Sequence, residues 1–299
     1  MQISSSSFYD QSAKRMSALS AQATDLQTQI STGKKLQSTA DDPVAAQKLA
    51  QLSRQATDDA TYESNMTVAA SSLQQSDSTL GSIATQLQSA LELAVQAGNG
   101  TLSAANRKTV ADQLDSISVA LLGLANTRDI NGQSLFGGVD GAKGVTKTAT
   151  GGYTLAEQAP TDIPISETQS VQGSETAARV FGFDGTNAFA VIDTLAAALR
   201  SGNDAEAISA AQTGITAITR ANDQVSTARA SVGARAAGVE LQQGLLSTAK
   251  IDRAELRSSI EDTDVSTAIV DLQKMMTALS ATQASFSKLS SLSLFDYLR

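Results

Sequence analysis

The chain of 299 residues contains no cysteine, no histidine and no tryptophan, and it has only 3 prolines. Without histidine and cysteine, nearly all transition-metal sites and most acid–base or thiol catalysis are excluded, which argues strongly against an enzyme. Because cysteine is absent, disulfides cannot form either. A role outside the cell would therefore depend on packing or on assembly for its stability.

Charge and hydropathy exclude two further classes of protein. The formal net charge of -8 argues against a general nucleic-acid binder, because phosphate contacts need a basic face. The longest apolar run, residues 119–125, has about a third of the length needed to cross a bilayer. The first ten residues carry neither the basic lead nor the apolar run of a cleaved signal peptide. We therefore expect a soluble protein with no membrane contact, no nucleic-acid partner and no cleaved leader.

Both ends of the chain carry apolar residues at alternating steps of three and four, with Ala23 in the first series and the polar Gln283 in the second. Each series predicts a helix with a single apolar stripe, packed against the other end or against neighbouring copies. Serine, threonine, alanine and glutamine surround both stripes, so an isolated pair would bury little apolar area per ordered residue. Assembly contacts are therefore favoured. The predicted assembly residues are Met16, Leu19, Leu26, Ile30, Ile269, Leu272, Met276, Leu279, Phe286, Leu294 and Phe295.

Long helices are predicted on both sides of a short central segment. Asp42 as a cap and Pro43 in the first turn start the second helix, and residues 98–100 end it. At 1.5 Å per residue this helix is roughly 80 Å long, more than a compact domain can bury. The predicted helices cover about residues 8–36 with a break near Gly33, 43–96, 103–130, 189–199, 204–256 and 265–290, and Ser103 is a potential cap of the third. Apolar residues recur at intervals of seven in the second helix (Leu73, Leu80, Leu87) and in the fifth (Val225, Val232, Val239, Leu246).

Residues 136–186 differ from both helical arms, because glycine, threonine and valine dominate and Pro160 and Pro164 occur there. Short runs such as residues 152–155 predict a few small strands. The predicted fold is mainly α, a long antiparallel helical hairpin or coiled-coil rod with a small β-rich insertion at its tip. We expect three domains: a terminal assembly coiled coil (1–42 with 260–299), a helical rod (43–135 with 187–259) and an outer domain (136–186).

Two segments resemble ligand sites. Residues 33–35 are similar to the end of a phosphate-binding loop, but they lack its upstream glycine and its final serine or threonine. Glu261, Asp262 and Asp264 form an acidic cluster without the remaining ligands of a calcium loop. A helix that begins near Val265 explains this cluster more simply, since helix N-termini favour negative charge. No catalytic, cofactor or metal site is predicted.

Several motifs together resemble the flagellin family. They are DDPVAA at 41–46, ELAVQAGNGT at 92–101 and SSIEDTD at 258–264, in the order in which that family has them. Two more, NGQSLFGG at 131–138 and LSLFDYLR at 292–299, resemble the hook–filament junction members of the family more than flagellin itself. The resemblance covers about the first 138 and the last 110 residues.

The resemblance implies a structural subunit of the bacterial flagellum, outside the cell, exported unfolded through the flagellar type III channel without a cleaved signal peptide. Its implied partners are other copies in a helical ring, the hook-side junction protein, flagellin and an export chaperone on the C-terminal helix. In this role the protein is the mechanical adaptor on which flagellin polymerises. Two alternatives remain at this point: a minor flagellin of the filament, and a secreted effector with its activity in the insertion. The ionisable residues of the insertion are scattered, which disfavours the effector.

Overall fold

The computed structural model describes residues 2–129, 132–137, 142–158 and 160–297, and within them the side chains of residue 7 and residues 9–288. As predicted, this part is mainly helical with a few small antiparallel strand pairs. The helices are α1 Gln2–Thr32, α2 Pro43–Ala97, α3 Ala104–Ala125, α4 Ala177–Phe181, α5 Ala188–Arg200, α6 Asp204–Glu261 and α7 Val265–Tyr297. The strands are β1 Val145–Lys147, β2 Tyr153–Leu155, β3 Asp162–Pro164, β4 Ser170–Gln172, β5 Gly182–Phe183 and β6 Thr186–Asn187.

The break predicted near Gly33 is confirmed, whereas the third helix ends earlier than predicted. Helix α1 ends at Thr32 because Gly33 adopts the left-handed backbone conformation (φ +71°) and its N–H bonds back to Gln29, so residues 34–36 lie outside the helix. The third was expected to reach residue 130, but α3 ends at Ala125. There the amide of Asn126 donates to the carbonyls of Leu122 and Val145, which turns the chain toward β1.

The chain divides into two compact units, Met1–Thr57 with Thr248–Arg299 and Asp58–Ser247. In the first unit, α1 and α7 pack along their lengths. The second unit contains residues 136–186 together with α3, α5 and most of α2 and α6. The three-part domain division made from the sequence stays a prediction.

The core of the second unit follows the seven-residue intervals seen in the sequence. On α2 the side chains of Leu73, Leu80 and Leu87 are fully buried, and on α6 Val225 and Val232 are buried at the same interval. This repeat keeps one apolar side of each long helix turned inward over many turns. The core is completed by leucine, isoleucine and valine side chains of α3 and α5, namely Val110, Leu114, Ile117, Leu121, Ile192, Leu195 and Leu199.

Residues 136–187 pack onto this core through three strand pairs and an aromatic cluster. The pairs β1–β2, β3–β4 and β5–β6 are each antiparallel and two-stranded. Phe181 lies against Phe136 and Phe189, with ring centroids 6.4 and 5.0 Å apart, and all three rings are fully buried. Burial of large aromatic surfaces stabilises the segment, which has little sheet of its own.

A buried ion pair also attaches this segment to α6. The carboxylate of Glu175, 2% exposed, pairs with Arg235, and the hydroxyl of Ser231 donates to it at 2.8 Å. Arg235 also donates to the backbone carbonyls of Gln172 (3.0 Å) and Ser174 (2.9 Å). Burial lowers the pKa of Arg235, and the negative charge of Glu175 opposes that shift. Buried charges need such paired and hydrogen-bonded surroundings.

Candidate functional site

The α1 stripe lies where the sequence places it. Met16, Leu19, Leu26 and Ile30 are half-buried, and Ala23 is buried at 8% exposure. Helix α7 covers this side of α1, so the stripe has a partner within the chain. Of the two arrangements that the sequence leaves open, this stripe adopts the packing of the two ends against each other, whereas assembly contacts had been favoured.

The α7 stripe differs from the predicted one at two positions. Leu272, Leu279 and Phe286 are half-buried as expected, whereas Ile269 and Met276 are 48% and 54% exposed. Their places toward α1 are taken by the residues one position earlier, which are Ala268 and Met275. At the first position the sequence reasoning chose the larger Ile269 over Ala268; at the second, Met275 and Met276 are identical in size and only the packing distinguishes them.

Helix α7 thus has two apolar sides. One side faces α1, and the other carries Val265, Ile269 and Met276, which are 41–54% exposed. The predicted assembly residues Leu294 and Phe295 belong to α7 by their backbone, but their side chains lie outside the described residues. The assembly role of all these residues stays a prediction.

An aromatic pair joins the outer parts of α1 and α7. The rings of Tyr9 and Phe286 meet edge to face, with centroids 5.5 Å apart and planes at 86°. This geometry is favoured by the opposite charge of ring edge and ring face. Tyr9 precedes Gly33 by 24 residues and Phe286 follows Asp262 by 24 residues, as expected for two antiparallel helices in matched register.

The loops that interrupt the two arms contact each other within the first unit. The N–H of Lys35 donates to the carbonyl of Glu261 (2.7 Å), and the N–H of Thr263 donates to that of Gly33 (2.9 Å). Lys34 and Asp262 thereby form an isolated antiparallel bridge. We call this contact, residues 33–35 with 261–263, the loop bridge.

The acidic residues beside the loop bridge have separate roles. Asp264 caps α7, since its carboxylate accepts from the N–H groups of Ser266 (3.0 Å) and Thr267 (3.2 Å), as predicted. Glu261 instead pairs with Arg257 at 2.8 Å and with Lys34, and these two cations lower the pKa of its carboxyl. Sequence reasoning missed the Lys34–Glu261 pair because 227 residues separate its members.

The Asp-Asp-Pro segment has a structural role. Asp42 accepts from the N–H groups of Val44 and Ala45 at 3.0 Å each and so caps α2, as predicted. Asp41 accepts from the N–H groups of Gln37 and Ser38, and these bonds lower the pKa of its carboxyl. The two carboxylates thus organise a turn and a helix start, which is not the geometry of a catalytic pair.

One groove of the second unit has few groups suited to catalysis. A groove of about 440 Å³ between α5 and α6 is lined by small side chains such as Ala190, Ala210 and Gly214, and its described lining includes one ionisable residue, Glu206. One carboxylate cannot supply an acid and a base together. Within the described ranges, no group of three or more His, Cys, Asp or Glu side chains is placed to hold a metal ion. None of the helices, where they are described, has the length and apolarity of a membrane span.

The chain is similar to flagellar proteins along its whole length. A family model described as the bacterial flagellin N-terminal helical region matches residues 3–140. Flagellar hook-associated protein 3 of Salmonella typhimurium is 30% identical over 322 residues, which cover 100% of both chains. Flagellar hook-associated protein 3 of Escherichia coli is 29% identical over 316 residues, 99% of each chain. The fold is shared with a solved hook-associated protein of Vibrio parahaemolyticus at a TM-score of 0.69 and 23% identity, covering 74% of this chain and 100% of that one.

Proposed function

The chain belongs to the flagellin family, in the branch of flagellar hook-associated protein 3, and on that premise we propose that it is the structural subunit joining hook and filament in its own flagellum. The observation that carries this proposal is the similarity to hook-associated protein 3 over the full length of both chains. The protein is a structural component and not an enzyme. Its task is mechanical, because it offers flagellin a surface on which to polymerise.

The minor-flagellin alternative is weaker. The model of the flagellin N-terminal region matches residues 3–140, which both kinds of protein share. Over the chain as a whole, a flagellin relative covers 89% at 26% identity, whereas the relatives named hook-associated protein 3 cover 99–100% at 29–30% identity. The junction role therefore accounts for more of the chain than a filament role does.

Self-association in a helical ring is supported by the two-sided character of α7. The side with Ala268, Leu272 and Met275 is engaged by α1, so the exposed Ile269 and Met276 remain to meet a neighbouring copy. Contacts between two different surfaces of identical chains repeat along a helix or around a ring. The copies on the rim of the ring would then use the same surfaces for the hook-side junction protein and for flagellin.

The exposed apolar surface of α7 also has to be covered before export. Helix α7 has several apolar side chains about half exposed, and such a surface invites aggregation before assembly. An export chaperone on the C-terminal helix, which the family resemblance implies, would cover it in the cell. We further propose passage through the flagellar type III channel without a cleaved signal peptide.

Deletion of the gene in its native host tests the junction role. Cells with hooks but no filaments, and with free flagellin in the medium, are the expected result. Reintroduction of the intact gene should restore filaments. Normal filaments in the deletion strain would contradict the proposal and point to a dispensable minor flagellin.

A further inference from the structure

The helix pair α1–α7 has few contacts that define its register. Among their described side chains, only Ala23 and Ala268 are buried to less than 9% exposure, and both are small. The other inward positions include the polar Ser12 and Thr282. A seven-residue repeat of similar side chains allows two helices to slip by one repeat at modest cost, unless a specific contact forbids it.

The loop bridge provides such a contact. Its two backbone hydrogen bonds, at 2.7 and 2.9 Å, join residues more than two hundred positions apart in the chain. Backbone bonds of this kind exist at one alignment of the two segments only, because a shift by a residue breaks both. The Lys34–Glu261 ion pair closes over the same point, and the carboxylate is largely buried with 12% exposure.

The loops on either side are themselves fixed. Gly33 turns the chain with a positive φ of 71°, which other residues adopt only with strain. Asp264, the residue directly after the bridge, caps α7, and Asp42 caps α2. The helix ends therefore cannot shift along their own axes without loss of these capping bonds.

We propose that the loop bridge sets the register of the terminal helix pair, with Lys34 and Glu261 as its positioning residues. The ring pair of Tyr9 and Phe286 supports this assignment from the far end. It lies 24 residues from the bridge on both helices, roughly 36 Å away along each helix. The bridge and the ring pair agree on one alignment, and a slip of one repeat would separate the rings by about 10 Å.

A fixed register matters for assembly, and in this respect the inference rests on the proposed function. The outward residues Ile269 and Met276 keep their places relative to α1 only if the two helices do not slide. A lattice accepts identical surfaces, so every copy needs the same alignment of its two terminal helices. The loop bridge supplies that alignment within each subunit.

The chain has no cysteine, so introduced pairs can measure the register without background. Ser12 follows Tyr9 by three residues and Thr282 precedes Phe286 by four, and both are half-buried, so Ser12→Cys with Thr282→Cys should bring two thiols together in the register that the ring pair marks. Ser12→Cys with Met275→Cys matches them only after a slip of one repeat. Each purified full-length variant is oxidised mildly, and the intramolecular disulfide is quantified by mass spectrometry. We expect the first pair to exceed the second by about tenfold, a ratio equivalent to about 1.4 kcal/mol.

Charge reversals at two neighbouring lysines then distinguish an effect of the Lys34–Glu261 pair from an effect of net charge. Lys34→Glu opposes Glu261 and should bring the two disulfide yields close to each other, whereas Lys34→Arg should keep the ratio. Lys35→Glu is the matched control, because it changes the net charge equally and its side chain makes no ion pair within the described part. Equal ratios for Lys34→Glu and Lys35→Glu, or a parent ratio near one, would overturn the inference. The measurement uses the purified chain, so it stays informative if gene deletion refutes the junction role.

Discussion

The outward side of α7 offers the sharpest test of assembly, through the double variant Ile269→Ser/Met276→Ser. These side chains are 48% and 54% exposed in the single chain, so about half of each surface is open to burial by a neighbour. Full burial of such a side chain stabilises by about 1.5–3 kcal/mol, and half of that is about 1 kcal/mol at each position. Loss of both should weaken each subunit contact by about 2 kcal/mol, or about thirtyfold.

The assay compares incorporation with folding. In a strain lacking the native gene, the double variant should leave most cells with hooks but no filaments, and secreted flagellin should rise. The thermal unfolding of the purified variant should stay close to that of the parent, since exposed substitutions usually change stability by less than about 0.5 kcal/mol.

A matched control puts two serines on exposed positions of the same helix. Gln273→Ser/Ala284→Ser changes polar or small side chains and should leave incorporation at the parent level. Normal filaments with Ile269→Ser/Met276→Ser would refute the assignment of this side to neighbouring copies. Equal loss in both double variants would refute it too, because general helix destabilisation would then explain the effect.

Two further predictions concern stability. Leu80→Ala removes a fully buried side chain of the second unit and should lower the free energy of unfolding by about 2–5 kcal/mol in urea titrations, against near zero for the half-exposed Val68→Ala. The second prediction concerns Glu261, whose pKa is lowered by Arg257 and Lys34. The ionised carboxylate therefore stabilises the fold above the ordinary carboxyl pKa, and this contribution is lost as the pH falls below about 4. Glu261→Gln should abolish this part of the pH dependence of stability in acid titrations, and an unchanged curve would contradict the prediction.

Most of the local structure could be predicted from the sequence, because helix caps and apolar periodicity are local signals. Ser103 was expected to start the third helix, and its hydroxyl accepts from the N–H of Asn106 at 3.2 Å. Asp42 and Asp264 likewise cap the helices that follow them. The α2 series Leu73, Leu80 and Leu87 is buried as its spacing requires. Caps and heptad spacing act within a few residues, so no knowledge of the partner is needed to recognise them.

Pairing over long sequence distances was decided by the tertiary structure. The hydrogen bond from the side-chain amide of Asn126 to the carbonyl of Val145 ends α3 early, and no sequence signal near residue 126 identifies Val145 as the partner. The same holds for Glu175 and Arg235, which attach the central segment to α6. Such pairs depend on which elements meet in space. An ion pair between distant residues produces no periodic pattern in the sequence by which it could be recognised.

The two sides of α7 show most clearly which features follow from the sequence and which follow from the packing. The sequence by itself determined that α7 is an apolar-striped helix, but it left open whether α1 or a neighbouring copy covers the stripe. Only the packing decided that Ala268 and Met275 face α1 while Ile269 and Met276 face outward. Steps of three and four residues fit both stripes on one helix, and the close approach of two backbones, which favours a small side chain, is a property of the pair.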